Sequence, residues 1–303
     1  MSQASRLRVA SEYCMSLVKQ TDFDNYLAGL LVPRPMRGAY FALRAFNVEL
    51  ATTKDQSNKN SIAARMRFQW WRDVIDNIYS DQTERLVQQP VAYALSHYCR
   101  EHGLTRHWLE RSLEARQRDA ERDSHETMDD LENYAEQGHS SILYLLLESM
   151  NIRNEHANYM ASHIGVCSGI TTLLRGFPYH VSKRQLYIPL DIVRRHAITV
   201  GQLLSGPQST HESQTALKDC IYDVASQAHG HLDRARSLFD DGKQGPALIP
   251  REAIHICGPA VRSRMFLDDL RVNSFDPYHG HMQRNVQLKY QLMLVRMRLV
   301  KKF

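Results

Sequence analysis

The chain has 303 residues and a formal net charge of +5, which allows one large hydrophobic core and does not indicate a nucleic-acid partner. Only 10 prolines and 14 glycines are present, no linker-like stretch divides the chain, and a mostly α-helical protein is expected. No apolar run approaches the roughly twenty residues that span a bilayer, so the protein is predicted to be soluble or peripheral. Five widely separated cysteines fit reduced, buried thiols.

The N-terminus is the first segment in chain order. Arg6 and Arg8 precede the first acid, Glu12, a pattern faintly similar to a mitochondrial presequence. An ordinary frayed terminus is the alternative. We therefore predict a short tail at residues 1–10, a candidate remnant of a targeting segment, followed by one domain over residues 11–303.

Helical periodicity and turn residues then predict about ten to twelve helices. The first should break at Thr21-Asp22, where either side chain can cap a second turn. Gly103 suits the end of a helix. The inner face of segment 61–79 is assigned to residues spaced by four, Met66, Trp70, Val74 and Ile78. The predicted helical segments are 11–31, 38–54, 61–79, 91–102, 105–123, 126–148, 215–240, 250–272 and 285–303.

The stretch from Gly165 to Leu190 is the most informative part of the chain. It should begin as a helix that ends near Gly176, with an apolar stripe facing inward. Pro178 disfavours helical geometry at Phe177, so a basic loop and an extended segment up to Pro189 are expected next. The stripe consists of Met160, Ile164, Cys167, Thr171 and Leu174.

Histidine spacing does not predict a metal site. His97, His102 and His107 are five residues apart, so their side chains point in different directions on a helix and cannot gather around one ion. Cys167 lies on an apolar stripe, where packing is a better interpretation than a nucleophilic role. No phosphate-binding loop or nucleophile elbow is found in the sequence.

The C-terminal segment from Arg284 to Phe303 contains six Lys or Arg and no acid, interleaved with apolar residues. A basic amphipathic helix of this kind can lie on an anionic membrane or dock on a partner. A final core helix with a solvated basic face is the alternative. The candidate membrane-surface residues are Arg296, Arg298, Lys301 and Lys302.

Five segments occur together in the order and spacing of a known family. They are Ala42–Phe46, Trp70–Arg72, Leu131–Tyr134, Gly165–Arg175 and Tyr187–Pro189. The chain thereby resembles the squalene/phytoene synthase family over nearly its whole length. The resemblance implies an all-α, single-domain, isoprenoid synthase-like helical bundle around a central cavity. It also implies an ancestral prenyl-diphosphate condensation in which two aspartate-rich helices hold magnesium ions.

Both aspartate-rich motifs of that family are degenerate here. The first, Asp-Asp-x-x-Asp, falls on Ala51, Thr52 and Asp55. The second, Asn-x-x-Arg-Asp-x-x-Glu-Asp, keeps only its arginine, and its positions are Thr172, Arg175, Gly176, Tyr179 and His180. Magnesium is held by carboxylates and phosphate oxygens. We therefore expect no metal, no cofactor and no catalytic residue, as in a pseudoenzyme.

An alternative function keeps the ancestral cavity. Arg175, Lys183 and Arg184 could bind a diphosphate or a phospholipid headgroup directly, in place of metal, in a lipid-binding protein or a prenyl-diphosphate transferase. The other interpretation of these three residues is a solvated basic loop.

Within the family, the chain most resembles a branch that takes part in the assembly of mitochondrial respiratory complex I. Its segments FALRAFNVELA, ENYAE, ASHIG, PYH and YDVASQAH carry that closer match. The resemblance implies an assembly factor whose partners are early complex I subunits or other assembly factors. It further implies peripheral association with the inner membrane of the mitochondrion, on the matrix side.

Overall fold

The structure is a computed structural model, and it describes residues 2–55, 62–80, 89–122, 124–206, 210–240, 248–283 and 286–303. Every regular element in these ranges is helical, so the predicted all-α class is confirmed. There are fifteen α-helices in the described ranges, more than the ten to twelve expected, because several connections contain short helices of five to nine residues.

The first half of the chain contains eight α-helices. They are α1 Gln3–Thr21, α2 Phe23–Leu30, α3 Arg34–Asp55, α4 Ile62–Ile78, α5 Pro90–His102, α6 Arg106–Glu121, α7 Met128–Ala135 and α8 Ser141–Ser149. A π-helical segment, Glu136–Ser140, joins the last two. As expected, Asp22 caps α2 by accepting a hydrogen bond from the amide of Asn25, and left-handed Gly103 ends α5.

In the second half, the described residues form seven α-helices and include two short 3₁₀ segments. The α-helices are α9 Glu155–Arg175, α10 Phe177–Ser182, α11 Leu190–Arg195, α12 Val200–Leu204, α13 His211–Asp240, α14 Gly258–Val272 and α15 Gln287–Val300. The 3₁₀ segments are Arg251–Ile256 and Gly280–Gln283. Thr199 and Gln202 form a capping box at the start of α12.

Helix α9 lies at the centre of the bundle, between α13, α14, α7 and the π-helical segment. All five residues of its predicted inner stripe are buried. Glycine is needed where it crosses the π-helical segment, because a Cβ on Gly165 would lie 2.1 Å from Ser140 Oγ and one on Gly169 would lie 2.6 Å from Ala135 Cβ. These close approaches bring α9 beside the residues that line the cavity described below.

Three local expectations are corrected by the structure. Helix α1 begins at Gln3, so most of the segment predicted as a tail is helical. On α4, Val74 and Ile78 are buried as predicted, but Met66 and Trp70 are 67% and 41% exposed. The buried face includes Phe68, Trp71 and Ile75 in their place. The residues after Gly176 form helix α10 rather than a loop, since Pro178 occupies the first turn, where its missing amide costs nothing.

All five cysteines are free and buried, in agreement with the prediction of reduced thiols. Burial raises the pKa of the Cys167 thiol to about 12, which keeps it protonated and unreactive near neutral pH. Among the described helices, none combines the length and the apolar composition needed to cross a bilayer.

Candidate functional site

A central cavity of about 310 Å³ opens between α2, α3, α6, α9 and α14. Its wall carries four arginines but only two carboxylates, and polar and apolar side chains complete it. The charged residues are Arg44, Arg116, Arg175, Arg262, Asp22 and Asp24. Asp22 also caps α2, so its carboxylate is already engaged by the amide and side chain of Asn25.

At the mouth of the cavity, Asp24 pairs with two arginines at once. Its Oδ2 accepts hydrogen bonds from Arg175 Nη1 at 2.8 Å and from Arg262 Nε at 3.0 Å. The pKa of Arg262 is lowered by burial and then by the neighbouring Arg175, although it stays a cation at neutral pH. One carboxylate therefore neutralises only one of the two cations.

Deeper in the cavity, Arg44 has no carboxylate partner among the described side chains. The residue is 5% exposed, and its Nε and Nη2 atoms are buried without a hydrogen-bond partner. Its guanidinium carbon lies 5.5 Å from the centre of the Tyr40 ring, which gives only partial compensation. A buried, unpaired cation is costly, so the position favours an anion inside the cavity.

Arg116, on α6, faces the same space with neutral partners. It donates to the hydroxyl of Tyr134 and, at 3.3 Å, to Asn47 Oδ1, while its Nη2 lies 3.3 Å from His139 Nε2. Burial and the two nearby arginines hold the pKa of His139 well below its usual value. The imidazole is therefore neutral, and its Nε2 lone pair can accept from Arg116.

The degenerate motif positions do not stay together. Ala51, Thr52, Thr172 and Arg175 line the cavity. The remaining positions of the second motif, Gly176, Tyr179 and His180, lie outside it: Tyr179 is exposed, and a Cβ on Gly176 would meet His180 Nε2 at 2.7 Å. The side chain of Asp55 lies outside the described residues.

His180 points instead into a buried polar cluster around Tyr187, which we call the Tyr187 cluster: Lys54, Asp119, His125, His180 and Tyr187. Lys54 Nζ donates to the Tyr187 hydroxyl at 2.8 Å and pairs with Asp119 Oδ2 at 3.1 Å. The Tyr187 hydroxyl donates to the same Asp119 oxygen at 3.2 Å. The ring of His180 packs edge-on against Tyr187, with ring centres 4.6 Å apart.

Burial dominates the acid–base properties of this cluster. It lowers the pKa of His180 to about 4, with a further contribution from Lys54. It also lowers the pKa of His125 and raises the pKa of Tyr187. Both imidazoles and the phenol are neutral near pH 7, so the only full charges in the cluster are the paired Lys54 and Asp119.

The predicted anion-binding trio is divided by the structure. Arg175 lines the cavity, whereas Lys183 and Arg184 are exposed beyond the end of α10 and do not line it. Lys183 lies above the ring of Tyr179, 5.9 Å from its centre. Geometry therefore separates these two residues from the cavity, because α10 turns the chain outward after Gly176.

The side chains of the cavity do not fit magnesium. Of its two carboxylates, one is shared by two arginines and the other caps a helix, and the four guanidinium groups repel a divalent cation. Glu49, which also lies on α3, is paired with Arg67 instead. Within the described part of the chain, no group of three His, Cys, Asp or Glu residues is placed to hold a metal ion.

The candidate membrane-surface residues Arg296, Arg298, Lys301 and Lys302 are all exposed at the end of the chain, far along the sequence from the cavity-lining helices α2 and α3. Arg298 is partly engaged, because it donates to the backbone carbonyl of Leu31. Their role in membrane binding stays a prediction.

Sequence reasoning missed most of the charged wall. Of the four arginines, only Arg175 is among the candidate site residues that the sequence indicates. A usable signal was present in segment 42–48, ALRAFNV, where an arginine and an asparagine interrupt an otherwise apolar run. Polar residues within a buried run indicate either an internal partner or a lined cavity.

Comparisons with known proteins agree with this architecture. The sequence model of the family described as Squalene/phytoene synthase matches residues 18–291. A Bos taurus protein named NADH dehydrogenase (ubiquinone) complex I, assembly factor 6 is 39% identical over 272 residues, which covers 90% of this chain and 77% of that protein. The Homo sapiens protein of the same name is 38% identical over 272 residues, with the same coverage of 90% and 77%.

Two solved structures share the fold. Squalene synthase HpnC from Alicyclobacillus acidocaldarius superposes with a TM-score of 0.75 at 16% identity, over 90% of this chain and 97% of that one. A dehydrosqualene synthase in complex with ligand superposes with a TM-score of 0.78 at 18% identity, over 99% of both chains. These identities are too low to carry more than the fold.

Proposed function

This chain belongs to the squalene/phytoene synthase family, and we propose that it is a non-catalytic member that assists the assembly of mitochondrial respiratory complex I. The observation that carries the proposal is the 39% and 38% identity to two proteins named as complex I assembly factors, each over 90% of the chain. Identity of that extent over nine tenths of the chain favours a shared role over a shared fold alone.

The cavity supports the non-catalytic part of the proposal. Departure of diphosphate from an allylic carbon requires neutralisation of its growing negative charge, which metal ions held by carboxylates can provide. Here Ala51, Thr52 and Thr172 occupy cavity positions without a carboxylate. Among the described residues, the carboxylates at the cavity are those of Asp22 and Asp24, both already engaged, which supports the proposal that no metal-dependent condensation takes place there.

A deletion in a cell line tests the assembly role. Cells that lack the protein should lose fully assembled complex I, measured on native gels and by NADH oxidation, while the other respiratory complexes persist. Re-expression of the wild-type chain should restore assembly, and so should a Thr172→Val variant, since no catalysis is needed at this cavity position. Normal complex I in the deleted cells would refute the proposal.

The partners and the location follow from the same role. We propose that the chain contacts early complex I subunits or other assembly factors and associates peripherally with the matrix side of the mitochondrial inner membrane. Affinity capture from mitochondria, read for early complex I subunits, tests the partner. Protection of the protein from added protease until the inner membrane is opened tests the side.

A second function, the binding of an anionic ligand without metal, is favoured by one specific observation. Arg44 is buried at the cavity wall with two nitrogens unpaired, and the adjacent Arg116 also has no carboxylate partner among the described side chains. A phosphate-bearing ligand would supply the missing negative charge, and guanidinium groups bind phosphate oxygens in a two-pronged geometry.

Adding farnesyl diphosphate to the purified protein with and without Mg²⁺ distinguishes anion binding without metal from metal-dependent catalysis. We expect no condensation product in either condition. Binding that is equally tight without Mg²⁺ would support the anion-binding function, whereas binding and product formation that need Mg²⁺ would contradict both proposals for the cavity. Inorganic diphosphate in a parallel titration shows whether the prenyl chain contributes.

A further inference from the structure

Helix α15 has apolar side chains on two opposite faces. Tyr290, Leu294 and Met297 are buried against the rest of the protein. On the other side, the exposed fractions are 74% for Leu288, 68% for Leu292, 48% for Val295 and 78% for Leu299. Spacings of four, three and four residues place these side chains along one line, the outer stripe, which points away from the buried face.

The helix is fixed in this orientation at both ends. Near its start, the buried hydroxyl of Tyr290 donates to the carbonyl of Gly258 at 3.1 Å. Beyond its end, the ring of Phe303 packs against Phe239 on α13 with centres 5.6 Å apart, and Arg236 donates to the Phe303 carbonyl at 3.0 Å. These contacts fix the orientation of α15, so the outer stripe faces away from the protein in the folded state.

A groove of about 270 Å³ runs along the flank of the same helix. Four basic residues and five apolar residues line it, and its lining contains no Asp or Glu: Arg236, Arg264, Arg296, Lys302, Val261, Met293, Met297, Val300 and Phe303. Beside this set, Asp268 Oδ2 lies 3.8 Å from Arg264 Nε on the exposed surface of α14. We call this feature the basic groove.

The outer stripe and the basic groove are arranged as in a helix that lies in a membrane interface. At 100° per residue, Lys289 and Arg296 lie on one side of the stripe and Arg298 on the other, each roughly 60–100° away. Lys289 is partly neutralised by Asp269, at 3.5 Å. Aliphatic side chains thus point outward, and basic side chains flank them. In a helix that lies in a membrane interface, side chains in these flanking positions reach the lipid headgroups.

Size and charge favour a lipid surface over a protein partner. The four aliphatic side chains expose on the order of a few hundred Å², less than the roughly 800 Å² per partner that stable protein complexes bury. Residues 284–303 contain no acid, so the charges that α15 itself places on both flanks of the stripe are positive; Asp268 and Asp269 of α14 lie beside one of them. A uniformly anionic surface complements this distribution, whereas protein interfaces usually mix charges.

We propose that α15 is the membrane-binding element of this protein: the outer stripe enters the headgroup region of an anionic bilayer, and the basic groove binds a lipid phosphate. The inference rests on the peripheral membrane association proposed above and assigns it to a surface. It does not require the assembly role, because binding to lipid can be measured with the purified protein alone.

Vesicle co-sedimentation tests the outer stripe. The full chain should bind phosphatidylcholine vesicles that contain phosphatidylglycerol, and Leu292→Gln with Leu299→Gln should lower the partition coefficient at least about tenfold, because two side chains no longer enter the apolar region. The matched control is Ile62→Gln, an exposed aliphatic position on α4, which should bind as the wild type does. Circular dichroism and thermal unfolding show that each variant is folded.

Neutralising two basic side chains of the groove tests whether it binds lipid phosphate. Arg296→Gln with Lys302→Gln should lower partitioning about 20- to 30-fold at low ionic strength, and the difference should shrink as salt is added. Lys183→Gln with Arg184→Gln removes the same charge from another exposed surface and should have little effect. Equal losses for both double variants would mean that net charge alone controls binding, which would overturn the groove.

Two further outcomes separate this inference from the assembly role. If the wild-type protein does not bind anionic vesicles, the membrane surface is refuted and the outer stripe is a protein-docking face, while the cell experiment on complex I keeps its meaning. If vesicle binding follows the expected pattern but deleted cells assemble complex I normally, the surface is supported and the assembly role is refuted.

Discussion

The cavity and the Tyr187 cluster both take charged side chains from α3 and α6, yet the charges in the cluster are paired with each other and those in the cavity are not. In the cluster, the ammonium of Lys54 is 3.1 Å from the carboxylate of Asp119 and is hydrogen-bonded to Tyr187. In the cavity, Arg44 is buried without a carboxylate among the described side chains. The charges of the cluster balance each other, although His125 Nδ1 and His180 Nδ1 are buried without a hydrogen-bond partner. The cavity lacks negative charge that only a ligand or solvent can supply.

The degenerate motif positions show the same difference between the two regions. Positions that turn toward the interior packing, such as His180, have joined a filled and charge-balanced cluster. Positions that face open space, such as Ala51, Thr52 and Thr172, have become small and neutral. The degenerate motif positions are therefore divided between a packed region and an open, positively charged one.

The largest expected effect comes from breaking the charge balance of the cluster. Asp119→Ala leaves the buried Lys54 without a carboxylate and the Tyr187 hydroxyl without its acceptor. The free energy of unfolding should fall by about 3–5 kcal/mol, measured by urea titration at pH 7.

A matched exposed ion pair provides the control for this substitution. Asp76 pairs with Arg106 on the surface, so Asp76→Ala should cost less than about 1 kcal/mol. Replacing both cluster partners, Lys54→Met with Asp119→Leu, should recover part of the loss because no charge is left unpaired. Equal costs for the two single Asp substitutions would show that the cluster is not a buried, coupled unit.

Acid titration probes the same cluster with a smaller effect. His180 is held neutral, with its pKa lowered to about 4 by burial, whereas an unfolded histidine titrates near 6.5. The unfolded state therefore binds the proton first, so stability is complete above about pH 6.5 and is lost as the pH falls toward 4. His180→Gln should reduce this loss by roughly 2–3 kcal/mol.

The measurement is the free energy of unfolding of the wild type and the variant between pH 7 and pH 4. His107→Gln, at an exposed position on α6, is the control and should leave the pH dependence unchanged. A wild-type curve that is parallel to that of His180→Gln would mean that His180 does not titrate differently in the folded and unfolded states.

In the cavity, removing a buried charge should stabilise the protein rather than destabilise it. Arg44→Met removes a buried cation that has no carboxylate partner, so the free energy of unfolding should rise by about 1–2 kcal/mol in the absence of ligand. Diphosphate should raise the unfolding temperature of the wild type more than that of the variant, because only the wild type keeps the guanidinium. Thermal unfolding with and without diphosphate measures both effects.

Arg175→Met is the matched control, since Arg175 is paired with Asp24 at 2.8 Å. Its removal should lower stability slightly rather than raise it. If Arg44→Met destabilises the protein as much as Arg175→Met does, then Arg44 is already satisfied in the free protein and the contrast between the two regions disappears.

The fold was largely accessible from the sequence because apolar periodicity determines which helix faces are buried. The inner stripe of α9 and the helix-end residues Asp22 and Gly103 were predicted correctly. The error on α4 arose because Trp70 and Trp71 are adjacent and either could face inward until the position of Phe46 is known, whose ring packs 5.0 Å from Trp71.

Only part of the candidate site could be predicted from the sequence. The sequence indicated which motif positions had lost their acids, because that requires only the order of residues. It could not indicate that Arg44, Arg116, Arg175 and Arg262 share one space, since they come from α3, α6, α9 and α14. Likewise, Lys183 and Arg184 were grouped with Arg175 by proximity in the chain, and helix α10 separates them.

The smallest expected effect is that of returning one acid to the open region. Thr52→Asp places a carboxylate on the cavity wall, where it can compensate part of the arginine charge, so stability should rise by less than about 1 kcal/mol. The added charge should also weaken stabilisation by diphosphate.

Mg²⁺ should have no effect on the unfolding temperature of this variant, because Asp24 and Asp22 remain engaged and a single new carboxylate does not make a magnesium site. Stabilisation of Thr52→Asp by Mg²⁺ would instead mean that the cavity is one substitution away from holding metal, and that its positive charge is less decisive than the contrast with the Tyr187 cluster implies.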